Sequence, residues 1–357
     1  MEFVDLKKQQ SLIKSQIDIN IQKVLNHGRY IMGPEVSELE EKLADYVGVK
    51  HCVSVSSGSD ALLIAMMAIG IGLGDEVITT PFTFVATVEM IVLLGAKPVF
   101  VDIDVHTYNI NHTKIESAIT SKTRLILPVS LYGQCANMEV INKISNKYGL
   151  PVLEDGAQSF GATYKGKKSC GLSTVGCTSF FPSKPLGCYG DGGAVFTNDD
   201  YLAKKIRQIR LHGQESRYHH TMIGINGRLD TIQAAILLAK FDIFPKEVEM
   251  RQKVGEKYNQ MFSKVDTLVK IPYIDPECTT VYGQYTISIS NREQRIKKMQ
   301  AANIPSVVHY PVPLHMQPAF LTEEFELPCT EKIAKKVLSL PMHPYLTDAD
   351  LSKVVLG

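Results

Sequence analysis

Leu12, Ile13, Ile17, Ile21, Val24 and Leu25 recur at the three- and four-residue spacing of one helix face. Val36, Leu39, Leu43 and Tyr46 repeat that spacing up to Gly48, so two opening helices are predicted. The texture then changes. Short apolar runs at 51–55 (HCVSV), 97–101 (KPVFV), 124–128 (RLILP) and 151–154 (PVLE) read as strands. Between them, Ser59 to Ile69 and Asn137 to Tyr148 read as helices, the second with Val140, Ile141 and Ile144 on one side. Strands alternating with helices predict an α/β fold: three layers, with a mainly parallel sheet covered by helices on both faces. Ligands of such sheets bind where strands end and loops lead into helices, so chemistry is sought there.

The rhythm loosens near residue 244. FPKEVEMRQKVGEKY suits a long helix leaving the main domain, TVYGQYTISIS alternates like a strand, and RIKKMQAAN fits a helix. Prolines cluster at 305–318 and 341–344. The prediction is a large domain over 1–243 and a smaller α/β domain over 244–357, which suits a chain of 357 residues.

Composition narrows the function classes. Lys and Arg number 38 against 37 Asp and Glu, so no general field recruits nucleic acid or an anionic membrane. An anionic ligand must be held by local groups. MEFVDLKKQQ lacks the apolar core of a signal peptide, and no apolar run of membrane-spanning length is present, so a cytoplasmic location is expected. Seven scattered cysteines with no C-x-x-C pair predict free, buried thiols, and ten histidines without H-E-x-x-H spacing predict no metal site.

The sharpest local signal is SFFPSKPLGCYGDGGAVFTND, where Lys184 stands between Pro182 and Pro185 and four glycines follow. The prolines stiffen the backbone and the glycines admit close approach of a ligand, which suits Schiff-base chemistry. Composition alone would make Lys184 a surface-turn lysine. In VLEDGAQSFGA, Asp155 ends an apolar strand run; it can pair with a buried cation such as a protonated pyridine nitrogen, or cap a helix beginning near Ala157. Gly58 and Ser59, in VSSGSDALLIA, stand between a strand and a helix, where backbone N–H groups and the helix dipole receive a phosphate or where small residues merely suit the turn. Ser179 could add a hydroxyl to such a cup. Arg228 offers a guanidinium for a carboxylate or diphosphate, or an ion pair with Asp230 or another acid.

Taken in order, these motifs resemble the fold type I pyridoxal-phosphate enzymes, and among them the DegT/DnrJ/EryC1/StrS sugar-nucleotide aminotransferases. The likeness runs the length of the chain, from VDLKKQQ and GRYIMGPEVSELE through SGSDAL, EDGAQSFGA and SFFPSKPLGCYGDGGA to HYPVPLH and SLPMHP. The resemblance implies pyridoxal 5'-phosphate linked to Lys184, which also moves protons, with Asp155 on the pyridine nitrogen and Gln158 on the ring oxygen. It implies Phe84 stacked on the ring, and Gly58, Ser59 and Ser179 around the phosphate. Asn226 of a neighbouring subunit would complete that cup, which implies a homodimer with shared sites. Tyr30, Arg228, His309 and Tyr310 are implied as substrate contacts, with ordinary packing as the alternative for the aromatics and His309.

Ser59 stands where threonine is common in the family, and Gly156 where alanine is; neither change removes a hydroxyl or a backbone donor. The implied reaction is amination of a UDP-linked 3-keto sugar, in particular UDP-2-acetamido-2-deoxy-3-oxo-glucuronic acid, with L-glutamate as donor, in bacterial surface-polysaccharide (O-antigen) synthesis. Other readings are a sister enzyme acting at C4 or on a dTDP-keto sugar, a dehydratase of the same fold, which Lys184 opposes, and a non-catalytic sugar-nucleotide-binding protein.

Overall fold

The computed structural model describes residues 1–265, 269–320 and 325–357. Its first helix, Leu6–His27, starts where the Asp5 carboxylate accepts from the Lys8 N–H and stops at Gly28, whose φ of 68° lies in the left-handed region. The second, Pro34–Val47, has proline in its first turn and a left-handed Gly48 after it.

Strands His51–Val55, Gly193–Thr197, Val175–Ser179 and Leu153–Asp155 lie side by side in that order, as do Lys97–Phe100, Glu76–Thr79 and Thr123–Leu127. Parallel bridges Ile126–Val152 and Val129–Asp155 join the two runs into one sheet. Gly193–Thr197 alone runs against its neighbours, pairing antiparallel with His51–Val55 and with Val175–Ser179. That reversal shapes the site. The chain climbs Val175–Ser179 to the carboxyl edge, crosses that edge as residues 180–192, and descends again from Gly193, the register partner of Ser179.

Adjacent strand residues point to opposite faces, and each face has its own helices. Cys52, Ile78, Ile126, Val152 and Phe196 pack against Val36, Leu39, Leu43, Ile141 and Leu237. Val53, Val77, Leu125, Leu153 and Val195 pack against Leu62, Ile64, Met66, Ile91 and Ile206. The result is the three-layer α/β/α arrangement that the sequence predicts.

Helix Phe244–Val265 leads into the rest of the chain. Its Val254, Tyr258 and Phe262 share a core with Tyr285 and Ile287, Leu338 and Leu340, and Leu351 and Val354. Strands Tyr285–Ser288 and Val337–Leu340 pair antiparallel in this unit. The alternating stretch TVYGQYTISIS forms a strand only in its second half, because Val281 N–H donates to Gly133 O and Gln284 N–H to Tyr132 O, tying the first half to a loop of the main sheet. No helix among the described residues is long and apolar enough to cross a membrane.

Candidate active site

At the carboxyl edge of the sheet lies a cavity of about 510 Å³. Gly58, Ser59, Phe84, Asp155, Gln158, Ser179, Lys184, His309 and Tyr310, drawn from six segments of the chain, all line it.

One end is a small-residue cup. Helix Gly58–Ile69 begins there, with the Ser57 hydroxyl accepting from Asp60 N–H. Asp60 in turn accepts from the Ser56 and Ser57 hydroxyls at 2.6 and 2.9 Å and does not line the cavity. The N–H groups of Gly58 and Ser59 belong to the first turn, which has no helical acceptors for them, and the helix dipole favours an anion there. A Cβ on Gly58 would come within 2.6 Å of the Ser179 Cβ, so glycine is what lets the two walls of the cup meet. Gly58→Ala is therefore expected to push the Ser179 wall outward and weaken phosphate binding about tenfold or more, read as the cofactor concentration that half-saturates the apoprotein.

Lys184 sits in the 180–192 crossing, where its N–H donates to Phe181 O. Burial lowers its ammonium pKa, and the negative charge of Asp155 pulls it partly back up. The side chain keeps contact with the cavity, so a larger share of neutral, nucleophilic amine faces the ligand space. The crossing is held from below by Lys240. That residue is 1 % exposed, donates to Gly187 O at 2.7 Å and lies 4.4 Å from the Tyr189 ring centroid.

Asp155 ends its strand as a buried carboxylate. Burial raises its pKa, opposed by a 2.8 Å hydrogen bond from the Thr87 hydroxyl, by Ala157 N–H, and by Lys184. The bond to Ala157 closes a turn two residues on; residues 157–160 form turns, with no helix for Asp155 to cap. A carboxylate oriented by two neutral donors, with no hydrogen-bonded cation among the described residues, is suited to a cation brought by a ligand.

Gln158, 3 % exposed, accepts from Tyr132 N–H at 2.8 Å and donates to the Tyr310 hydroxyl at 3.1 Å. The Tyr132 hydroxyl donates to His309 O. Burial, reinforced by Asp155, pushes the Tyr310 phenol far above its ordinary value, so it stays a neutral donor. Phe84 is 53 % exposed at the rim, tilted against Tyr310 with ring centroids 6.4 Å apart. His309 Nδ1 lies 2.9 Å from the Ser339 hydroxyl.

Burial, with Lys184 nearby, lowers the His309 pKa to about 4, and burial with Arg251 lowers His343 to about 4. Their folded values lie below the unfolded one, so from pH 6.5 down to 4 the unfolded chain takes up protons that the folded chain refuses. Stability is expected to fall across that window, by at most about 1.4 kcal/mol per pH unit for each group, and to level off above it. Urea unfolding followed from pH 7 to 4 checks this; a His309→Gln, His343→Gln double variant should show a shallower slope.

Tyr30, Asn226 and Arg228 stand apart from this cavity. They cluster on neighbouring segments, with Thr231 N–H donating to Tyr30 O and Ile31 bridged to Asp230. Tyr30 is 48 % exposed, Asn226 is exposed, and the buried Nε of Arg228 has no hydrogen-bond partner among the described residues. Among the described residues Arg228 makes no ion pair, with Asp230 or any other acid. Sequence reasoning missed Thr87, Tyr132, Ser183, Asp191 and Gln284. The Thr87 hydroxyl lay within reach of inspection, since it ends the PFTFVAT segment, four residues after Thr83, whose hydroxyl is 3.1 Å away.

A cup for phosphate, a buried carboxylate for a ring cation and a desolvated lysine around one cavity define a pyridoxal-phosphate enzyme of fold type I. The chain belongs to the DegT/DnrJ/EryC1/StrS aminotransferase family, whose model matches residues 11–356. It is 58% identical over 351 residues to the UDP-2-acetamido-2-deoxy-3-oxo-D-glucuronate aminotransferase of Pseudomonas aeruginosa, covering 98% of this chain and 97% of that one. A crystal structure of a DegT DnrJ EryC1 StrS aminotransferase from Brucella abortus is 43% identical, with a TM-score of 0.96 over 99% of this chain and 97% of that one. NtdA of Bacillus subtilis, solved with bound pyridoxamine phosphate, is 30% identical with a TM-score of 0.90, covering 99% and 82%. The protein is a transaminase that uses pyridoxal 5'-phosphate.

Proposed function

We propose that this enzyme aminates carbon 3 of UDP-2-acetamido-2-deoxy-3-oxo-glucuronic acid with L-glutamate as donor, in the cytoplasm, for bacterial surface-polysaccharide synthesis. The observation that carries the reading is the 58% identity, over nearly the whole of both chains, to a relative named for that reaction. The donor set supports it.

The cofactor supplies an electron-withdrawing ring that lets nitrogen pass between an amino acid and a keto compound. Lys184 would hold it, and its neutral amine would move the proton at the reacting carbon. The Asp155 carboxylate, its direction fixed by Thr87 and Ala157, would keep the ring nitrogen protonated. Gln158 would hold the ring oxygen, Phe84 would pack on the ring, and Gly58, Ser59 and Ser179 would take the phosphate.

We further propose a homodimer in which Asn226 of each subunit completes the other's phosphate cup. Tyr30 would contact the nucleotide and Arg228 the sugar carboxylate, while His309 and Tyr310 contact the sugar from the same chain. The exposed cluster of Tyr30 and Asn226 favours an assembly that covers them. Residues 1–243 would form the cofactor-binding domain and 244–357 the smaller one.

The test is a single-turnover assay. Protein first treated with L-glutamate and freed of it is offered UDP- and dTDP-linked 3-keto and 4-keto sugars. Amination of the UDP-linked 3-keto uronic acid at least tenfold faster than the others supports the proposal. Preference for a dTDP-linked or 4-keto sugar would overturn it.

A further inference from the structure

Asp155, Thr87, Gln158, Tyr132, Tyr310 and His309 each have a hydrogen-bond partner in the protein. Gln284 does not. It lines the same cavity and also a narrow cleft beside Tyr132 and Thr286; among the described residues its buried Oε1 has no hydrogen-bond partner and its Nε2 donates to no acceptor. The residue is half-buried, and an amide N–H without a protein acceptor beside a cavity is free to serve a ligand there.

The backbone fixes Gln284 in place. Its N–H donates to Tyr132 O, and Tyr132 N–H donates to Gln158 Oε1. Just before it, Gly283 passes so close to Gln158 that a Cβ there would lie 2.4 Å from Gln158 O. The amide thus stands on the Gln158 and Tyr310 side of the cavity, away from the Gly58–Ser179 cup, and is carried by the segment that ties the C-terminal unit to the main sheet.

We infer that Gln284 is a specificity-determining residue: its amide hydrogen-bonds the polar substituent on a carbon flanking the reacting carbonyl of the sugar. The inference rests on the keto-sugar reading above. On that substrate the flanking substituents are an acetamido group on one side and a hydroxyl on the other, and each carries an oxygen that can accept from Nε2. The amino donor, a smaller molecule without these substituents, makes no use of Gln284.

The experiment follows cofactor absorbance by stopped flow in the full-length holoenzyme. It compares the half-reaction with L-glutamate to the reverse half-reaction with the UDP-linked 3-amino sugar. Gln284→Leu should raise the half-saturating sugar concentration about 10- to 100-fold and leave glutamate within about twofold. Gln284→Glu, of the same shape but without the amide donors, should impair the sugar alone and serves if the leucine variant folds poorly. Sugars lacking the 2-acetamido group or the 4-hydroxyl tell the two substituents apart: with the one that Gln284 reads removed, wild type and Gln284→Leu should bind alike. Equal loss in both half-reactions, no loss in either, or an unchanged wild-type advantage with both analogues would overturn the assignment. If the wild type rejects UDP-linked amino sugars and accepts another amino sugar, the substrate reading fails, and the same comparison on that sugar still decides the role of Gln284.

Discussion

Lys184→Ala is expected to abolish turnover, by at least about 10⁴-fold, while the protein still folds and retains cofactor without a covalent bond. The loss has two parts. In the proposed mechanism the amine is both the covalent holder and the base that moves the proton, a role worth about 10²- to 10⁴-fold by itself. Burial prepares it for both by lowering its pKa, although Asp155 limits how far. The check combines steady-state rates with borohydride reduction and mass spectrometry of the peptide bearing residue 184, which should carry the cofactor mass only in the wild type. Added methylamine should restore part of the rate if the lost group is the base. Retained covalent labelling, or activity within tenfold of wild type, would remove Lys184 from its role.

Asp155→Asn should lower the glutamate half-reaction about 10²- to 10³-fold with little change in cofactor affinity. The asparagine keeps the shape and can still accept from Thr87, so what would disappear is the charge proposed to face the ring nitrogen. Spectra recorded across pH should show that nitrogen losing its proton at lower pH in the variant. A rate drop without that spectral change would point to lost geometry instead, and a Thr87→Val variant, which keeps the charge and loses the 2.8 Å hydrogen bond, should be impaired far less.

Which parts of this could be read from sequence follows from how local their cause is. The helices whose apolar faces repeat at helical spacing, Leu6–His27, Pro34–Val47 and Met138–Tyr148, announced themselves because one side of each faces solvent. Helix Thr231–Phe241 did not: TIQAAILLAKF is buried nearly all round, beneath Leu6–His27 and Pro34–Val47, so no polar stripe marks it. Strands Val175–Ser179 and Gly193–Thr197 are built of small and mixed residues, and their pairing across the Lys184 crossing supplies the order that composition lacks. At the site, Lys184 and Asp155 carry local signatures of proline, glycine and strand end. Thr87 reaches Asp155 from 68 residues away, and the Gln284 amide matters only because the chain returns to Tyr132; neither relation leaves a pattern in neighbouring residues.

Lys240 links the far end of the chain to this chemistry. Helix Thr231–Phe241, which carries it, is clasped by Ile13 and Ile17 of the first helix, and Gln9 there donates to Glu247 at 2.9 and 3.0 Å. Anyone shortening the amino terminus to aid crystallisation, or fusing a bulky tag against that helix, is therefore adjusting the footing of the Lys184 crossing.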